Sequence, residues 1–474
     1  MKTLTSSDRT ILSTFSPGFG GAVVPEWIKP WLDNGLGSVT LFASNTPNFE
    51  ATATLISELR SYNSDVLVAI DEEGGDVTRL FVREGSRYPT PALLGQCDDE
   101  ELTFQSYHSM GTVLRQLGID ITYAPVADVV AFENNPIVGV RSFGMSTDVV
   151  TRHVAQAIKG LQDAGIGACV KHFPGHGAVL EDSHHDLPRI KLSLADYETQ
   201  HILPFKNAID NGVAAVMIGH LIAEALDPEL PASLSPKVIG QYLRGTLGFK
   251  GLVVTDALDM GAIGGPTMIH DSGFKALLAG ADLLCFSGMG DQSQFVSSSF
   301  DYIKSALEND KLSLTGLEES GQRIAQWRSK IPVRISKDES INFKDLIAGF
   351  EVTGSVELEP GAVNLVEIGT KPTIAAGDVS WGMHRELRAV GIACDIHASD
   401  AESLATKRLV VAFRDAYRDA PLLATLRRLY ERYPDAIFID MGWPTREFSP
   451  TNLIRAFGSS AVISQAVAAR IRGH

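Results

Sequence analysis

Short apolar runs recur between residues 38 and 286 of this chain, and nearly every one is followed by a polar or glycine-rich cluster. The runs cover residues 38–42, 66–70, 119–123, 167–170, 214–218, 252–254 and 282–286, with helical patterns between them. Alternation of this kind predicts βα units and a parallel sheet. The clusters DEEGG, APVADV, KHFPGHG, GH, TDALDM and SGMGD follow the runs. In a (β/α)8 barrel the strand C-termini surround one pocket, so clusters placed there converge. A doubly wound sheet would gather fewer of them. The expected fold is a (β/α)8 TIM-type barrel over residues 1–334.

A mixed, charged stretch at 335–358 reads as a connector with one short helix. Beyond it, residues 359–474 form a second α/β pattern. Strands are expected at 363–368, 408–413, 436–440 and 461–464, and helices at 384–390 and 421–433. The second helix carries Leu422, Leu423, Leu426 and Leu429 at close to 3.6-residue spacing. The expectation is a small three-layer sandwich with a structural role, since it has no phosphate-binding glycine fingerprint.

Composition excludes several classes. Lys and Arg total 41 against 57 Asp and Glu, a formal charge of -16, which argues against nucleic acid or an anionic membrane surface as partner. Cys97, Cys169, Cys285 and Cys394 show no C-x-x-C spacing, so neither a zinc ribbon nor a disulfide framework is indicated. The N-terminal segment has no continuous apolar core of a secretory signal, and no run of about 18 apolar residues marks a membrane span. A cytoplasmic protein is expected, with no cofactor.

Residues 171–188, KHFPGHGAVLEDSHHDLP, hold one lysine, four histidines and two aspartates beside Pro174, Gly175 and Gly177. Prolines and glycines fix a backbone path, and the polar groups have no apolar neighbours to bury them. The segment reads as a presenter of side chains to a ligand. Asp182 and His184 are two residues apart, close enough for the carboxylate to orient the imidazole as a proton-transfer pair. His172 and His176 have the i, i+4 spacing of helical zinc ligands, but Pro174 and Gly175 between them forbid a regular helix. Structural hydrogen bonding is the favoured reading of His176.

Asp256 follows a strongly apolar strand in GLVVTDALDM, where a carboxylate is poised to attack an electrophilic carbon. A helix cap is the bland alternative, for which Asp259 is better placed. Asp71 opens DEEGGDVTR, which also supplies Glu72, Glu73 and Arg79. Carboxylate and guanidinium together suit a polyhydroxylated ligand. Magnesium binding by the three acids is the weaker choice beside Gly74 and Gly75. Arg141, Lys171, His172 and His220 follow other strands and face the same ligand.

These stretches resemble the β-N-acetylglucosaminidases of glycoside hydrolase family 3. DEEGGDVTR, NPIVGVRSFG, KHFPGHG with DSHHDLP, and LGFKGLVVTDALDM stand in the family's order and spacing over about residues 60–265. The resemblance implies a barrel that releases terminal β-linked N-acetylglucosamine with retention of configuration. It implies Asp256 as nucleophile, His184 as acid/base and Asp182 as its support. Asp71, Arg79, Arg141, Lys171 and His172 match residues that hold the sugar, and His220 is kept as a further substrate contact. Most retaining glycosidases use two carboxylates roughly 5 Å apart, whereas this branch resembles the exception with an Asp–His dyad. A neutral histidine base does not repel phosphate, so phosphorolysis giving a sugar 1-phosphate is the alternative to hydrolysis. Muropeptides and chitooligosaccharides are the substrates considered. A non-catalytic amino-sugar-binding barrel and a metal-dependent hydrolase are the readings from other classes.

Overall fold

The computed structural model describes residues 4–133, 135, 137–179, 187–329, 341–400, 404 and 407–473. Among the described residues, eight short parallel strands close a barrel: β1 (Phe15–Ser16), β2 (Ser38–Leu41), β3 (Leu67–Ile70), β4 (Ile121–Thr122), β5 (Gly167–Phe173), β6 (Ala215–Ile218), β7 (Leu252–Thr255) and β8 (Leu284–Cys285). Strands β2 to β7 pair in chain order as one sheet. β8 pairs with β1, and parallel bridges from Gly18 to Thr40 and from Val254 to Leu283 join that pair to both sheet edges. The ring therefore has no open edge. All seven apolar runs of the sequence fall on these strands. β1 escapes sequence reading because two residues carry no periodicity.

The strands read as unbroken apolar runs because both faces are buried. Leu67, Ala69, Ile121, Tyr123, Ala215, Met217, Leu252 and Val254 pack together inside the ring, while Val68, Ile70, Val216, Ile218 and Val253 join the cluster beneath the helices. Trp327 closes the N-terminal end, where a Cβ on Gly167 would lie 2.2 Å from its ring. Helices Glu100–Leu117 and Thr147–Asp163 begin at Asp99 and Ser146, whose side chains accept the amides of Leu102 and Val149. Among the described residues no helix is long and apolar enough to cross a membrane.

The second domain is a six-stranded sheet of β9 (Glu351–Thr353), β10 (Gly361–Gly369), β11 (Ile392–His397), β12 (Arg408–Arg414), β13 (Ile437–Asp440) and β14 (Asn452–Arg455). Its order is β9-β14-β13-β12-β10-β11, with β9 antiparallel and the others parallel. Helix Ala420–Arg432 lays Leu422, Leu423, Leu426 and Leu429 on one face against Val411, Phe413 and Phe438. Helix Ala461–Ile471 packs Ile463 and Val467 with Val410, Ala412 and Ile439 on the other. The three-layer sandwich is thus observed.

One strand is corrected. Residues 461–464 are the first turn of a helix, and the last strand is Asn452–Arg455. The stretch AVIS looks like a strand because that helix is buried on nearly every side and so loses its polar stripe. The short helix expected in the connector is Phe343–Gly349, and β9 follows it directly.

Candidate active site

The C-terminal ends of β3, β4 and β5 carry a chain of alternating charges. Asp71 directly follows β3; its Oδ1 accepts from Lys171 Nζ at 2.7 Å, and its Oδ2 lies 3.5 Å from Arg79 Nη2. Lys171, within β5, also reaches Glu73 Oε1 at 2.6 Å. Glu73 takes Arg141 as a fork, with Nε at 2.8 Å and Nη2 at 2.7 Å. Arg141 Nη2 lies 3.4 Å from His172 Nε2, and His172 Nδ1 is 2.7 Å from Asp128 Oδ2. Asp128 accepts the His176 amide as well, at 2.6 Å.

Burial alone would discharge such groups; pairing reverses that. The Lys171 and Glu73 side chains are 3% and 1% exposed. Burial works against the Asp71 carboxylate, but Lys171 and then Arg79 outweigh it and hold its carboxyl below the usual range. Glu73 is held far down against burial by Arg141 and Lys171. Lys171 stays charged in spite of burial because Asp71 and Glu73 face it. Glu72 behaves differently: it accepts the amides of Arg79 and Leu80 at 2.8 and 3.1 Å, and burial pushes it up to about 7. It pins the loop from below.

Asp256 stands at the end of β7. Its amide donates to the Ile218 carbonyl at 2.9 Å and its Oδ1 accepts the Ala257 amide at 2.8 Å. Helix Gly265–Ala279 starts from Gly264, so neither Asp256 nor Asp259 caps it. The expectation for Asp259 is corrected: its carboxylate accepts the amide and hydroxyl of Ser287, tying the β7 loop to the β8 loop. Burial first, then the charges of Asp71 and Asp256, push up the thiol of Cys285 inside the barrel. Asp71 follows β3 and Asp256 follows β7 at the same end of the closed ring, so the two carboxylates enter one mouth.

His220 is fully buried, with Nδ1 2.7 Å from Ser233 Oγ and Nε2 2.9 Å from the Ala257 carbonyl. A carbonyl only accepts, so Nε2 carries the proton. His220 thus braces the turn that holds Asp256. Burial, then the neighbouring His172, holds His176 below the usual histidine range. Among the described residues no group of three or more His, Cys, Asp or Glu side chains could hold a metal ion. Asp182, His184 and His185 lie outside the described residues.

Gly74 and Gly75, with φ +86° and +64°, shape the Asp71 loop. A Cβ on Gly75 would meet Thr90 Cγ2 at 2.4 Å and Thr90 Cα at 2.8 Å. Thr90 cannot retreat, because it caps helix Pro91–Cys97. Gly75→Ala is expected to lower stability by about 1–3 kcal/mol and to displace the loop. Thermal unfolding measured beside kcat/KM checks this; an unchanged Tm would contradict the tight approach.

The profile of the glycosyl hydrolase family 3 N terminal domain matches residues 22–327. The chain belongs to glycoside hydrolase family 3. This family 3 chain is 35% identical over 261 residues to a β-hexosaminidase of Neisseria meningitidis serogroup B, covering 53% of the chain and 72% of that protein. It is 30% identical over 322 residues to β-hexosaminidase A of Pseudoalteromonas piscicida, covering 63% and 54% respectively. A family 3 β-N-acetylglucosaminidase structure from a Paenibacillus species superposes with a TM-score of 0.87 at 26% identity, over 99% of this chain and 97% of the other.

Two residues of this family 3 site are missed by sequence reading. Glu73 counts there only as one of three acids, and Asp128 is passed over inside APVADV. The signal for Glu73 was the pair Arg141 and Lys171, two cations sent to one mouth with no buried counter-charge assigned. Asp128 offered a similar clue, since a histidine beside a strand end needs an orienting acceptor.

Proposed function

We propose that this glycoside hydrolase is a retaining exo-β-N-acetylglucosaminidase acting on terminal β-linked N-acetylglucosamine of muropeptides or chitooligosaccharides in the cytoplasm. The observation that most supports this reading is the convergence of Asp256 and the Asp71–Lys171 cluster on one barrel mouth, each at the C-terminal end of a strand of the closed ring. The β-hexosaminidase relatives support the amino-sugar donor.

Each side chain has work suited to its surroundings. Glu73 spends both oxygens on Arg141 and Lys171 and is almost fully buried, so it holds the cations and leaves the sugar to others. Asp71 is 20% exposed and has lone pairs left for sugar hydroxyls. Arg79, Arg141 and Lys171 donate around it, while His172, its Nδ1–H held by Asp128 and its Nε2 facing the Arg141 guanidinium, sets the direction of that arginine. Asp256 attacks the anomeric carbon while protonated His184, supported by Asp182, donates to the departing oxygen. A glycosyl-aspartate forms. Neutral His184 then takes a proton from water, which attacks the same carbon and frees Asp256, so two inversions give net retention.

The acid role is tested by leaving-group dependence. In kcat/KM, which reports the step that expels the leaving group, His184→Ala is expected to lose less than about tenfold on an aryl N-acetyl-β-glucosaminide, which departs with little protonation, and about 10²- to 10⁴-fold on a natural disaccharide. Steady-state kinetics on both substrates decides it. Equal losses would contradict the assignment.

A further inference from the structure

The loop after β3 carries Asp71, Glu72, Glu73 and Arg79, and the second domain grips it at successive points. Asp76 Oδ1 accepts the amide and the hydroxyl of Ser459, at 3.3 and 3.0 Å, and Oδ2 lies 4.0 Å from Arg414 Nη1. Arg414 ends β12; it donates to Ser459 Oγ at 3.1 Å and lies over the Trp381 ring at 5.1 Å. Three residues beyond Asp76, Arg79 Nη2 donates to the Ala375 carbonyl at 2.9 Å. That same nitrogen is the one 3.5 Å from Asp71 Oδ2. Further along, the Ser380 amide donates to the Val82 carbonyl at 2.8 Å.

We propose that the second domain is a positioning element for the sugar-binding loop, with Arg414 and the Ala375 carbonyl setting where Arg79 and Asp71 stand. The inference takes from the functional reading only the role of those two residues as sugar contacts. Its physical basis is the fork geometry of arginine. A guanidinium is planar and rigid, so fixing one nitrogen on a backbone carbonyl fixes the direction of the remaining N–H groups. Here the carbonyl belongs to the second domain and the carboxylate to the barrel, so the guanidinium reads the placement of one against the other. Arg414 acts one step further back. It is 5% exposed and faces Asp76, which anchors the loop between Glu73 and Arg79. The barrel's affinity for its sugar is thereby set in part from outside the barrel, while Asp256, on the far side of the mouth, stays untouched.

The test compares full-length wild type with Arg414→Ala, Arg414→Lys and Ser459→Ala. Two readouts are used: kinetics on 4-nitrophenyl N-acetyl-β-glucosaminide, and hydrogen exchange of peptides covering residues 71–90. Arg414→Ala is expected to raise KM about tenfold with kcat within about threefold, and to leave the pH profile of kcat/KM in place. Amide exchange in residues 72–88 should quicken about tenfold, with Arg414→Lys recovering part of both effects. Should Arg414→Ala fail to fold, Ser459→Ala is judged by the same readouts with smaller shifts. Lower Tm with unchanged KM and unchanged loop exchange would reduce the interface to simple adhesion and overturn the proposal. If the wild type does not turn over the glycoside, the functional reading fails; the exchange readout still decides whether the second domain holds the loop.

Discussion

Replacing Asp256 with alanine is expected to cut turnover of an aryl N-acetyl-β-glucosaminide by at least about 10⁴-fold, the scale on which loss of a nucleophile acts. The protein should still fold. Its backbone bond to Ile218 does not involve the side chain, and the bond from the Ala257 amide is worth only about 1 kcal/mol net. A second experiment separates loss of a nucleophile from loss of a general electrostatic effect. Azide added to Asp256→Ala should restore part of the turnover and yield the α-glycosyl azide, because the small anion enters from the face the carboxylate has left. A 5-fluoro glycosyl fluoride of N-acetylglucosamine should in turn trap the wild-type enzyme as an ester on the peptide that contains Asp256. Label on another side chain would remove Asp256 from the mechanism.

The barrel was legible because its signal is repeated. Nearly every βα unit shows an apolar run and then a polar cluster, so losing β1, with its two residues, did not change the reading. The second domain was less so. Its buried helix Ala461–Ile471 has no polar stripe to betray its period, and its edge strand Ile392–His397 mixes Asp395 and His397 among apolar residues. At the site, residues that begin or end a strand were read as members of one mouth, and Asp71, Arg79, Arg141, Lys171 and His172 do meet there. What escaped was the layer beneath them. Glu73 and Asp128 act through burial and pairing, and neither property is written in spacing. His220 shows the same limit: its position after β6 was visible, but its commitment to Ser233 and the Ala257 carbonyl was a matter of packing.

Glu73→Gln is expected to be the most damaging change for stability. The carboxylate sits between two cations, with Arg141 Nη2 at 2.7 Å and Lys171 Nζ at 2.6 Å, and all three side chains are less than a tenth exposed. Glutamine keeps the shape and removes the charge. Two buried cations then share Asp71 as their nearest remaining carboxylate, and breaking a buried pair from one side costs about 3–5 kcal/mol. The pH dependence has a definite sign. Arg141 and Lys171 hold the folded-state pKa of Glu73 well below that of the unfolded chain, near 4.3 for an ordinary glutamate, so about this value upward the pairing contributes in full. As pH falls below that value the unfolded chain gains a proton that the native carboxylate refuses, and the contribution shrinks. The wild type should therefore exceed Glu73→Gln by its full margin at neutral pH, and the two denaturation midpoints should draw together in acid. Urea titrations at neutral pH and near pH 3.5 measure the difference. Catalysis should fall too, because Arg141 and Lys171 lose the group that aims them at the sugar, and kcat/KM should drop even at temperatures where the variant is fully folded. A constant gap between the two proteins across pH would mean that Glu73 stabilises by shape and not by charge.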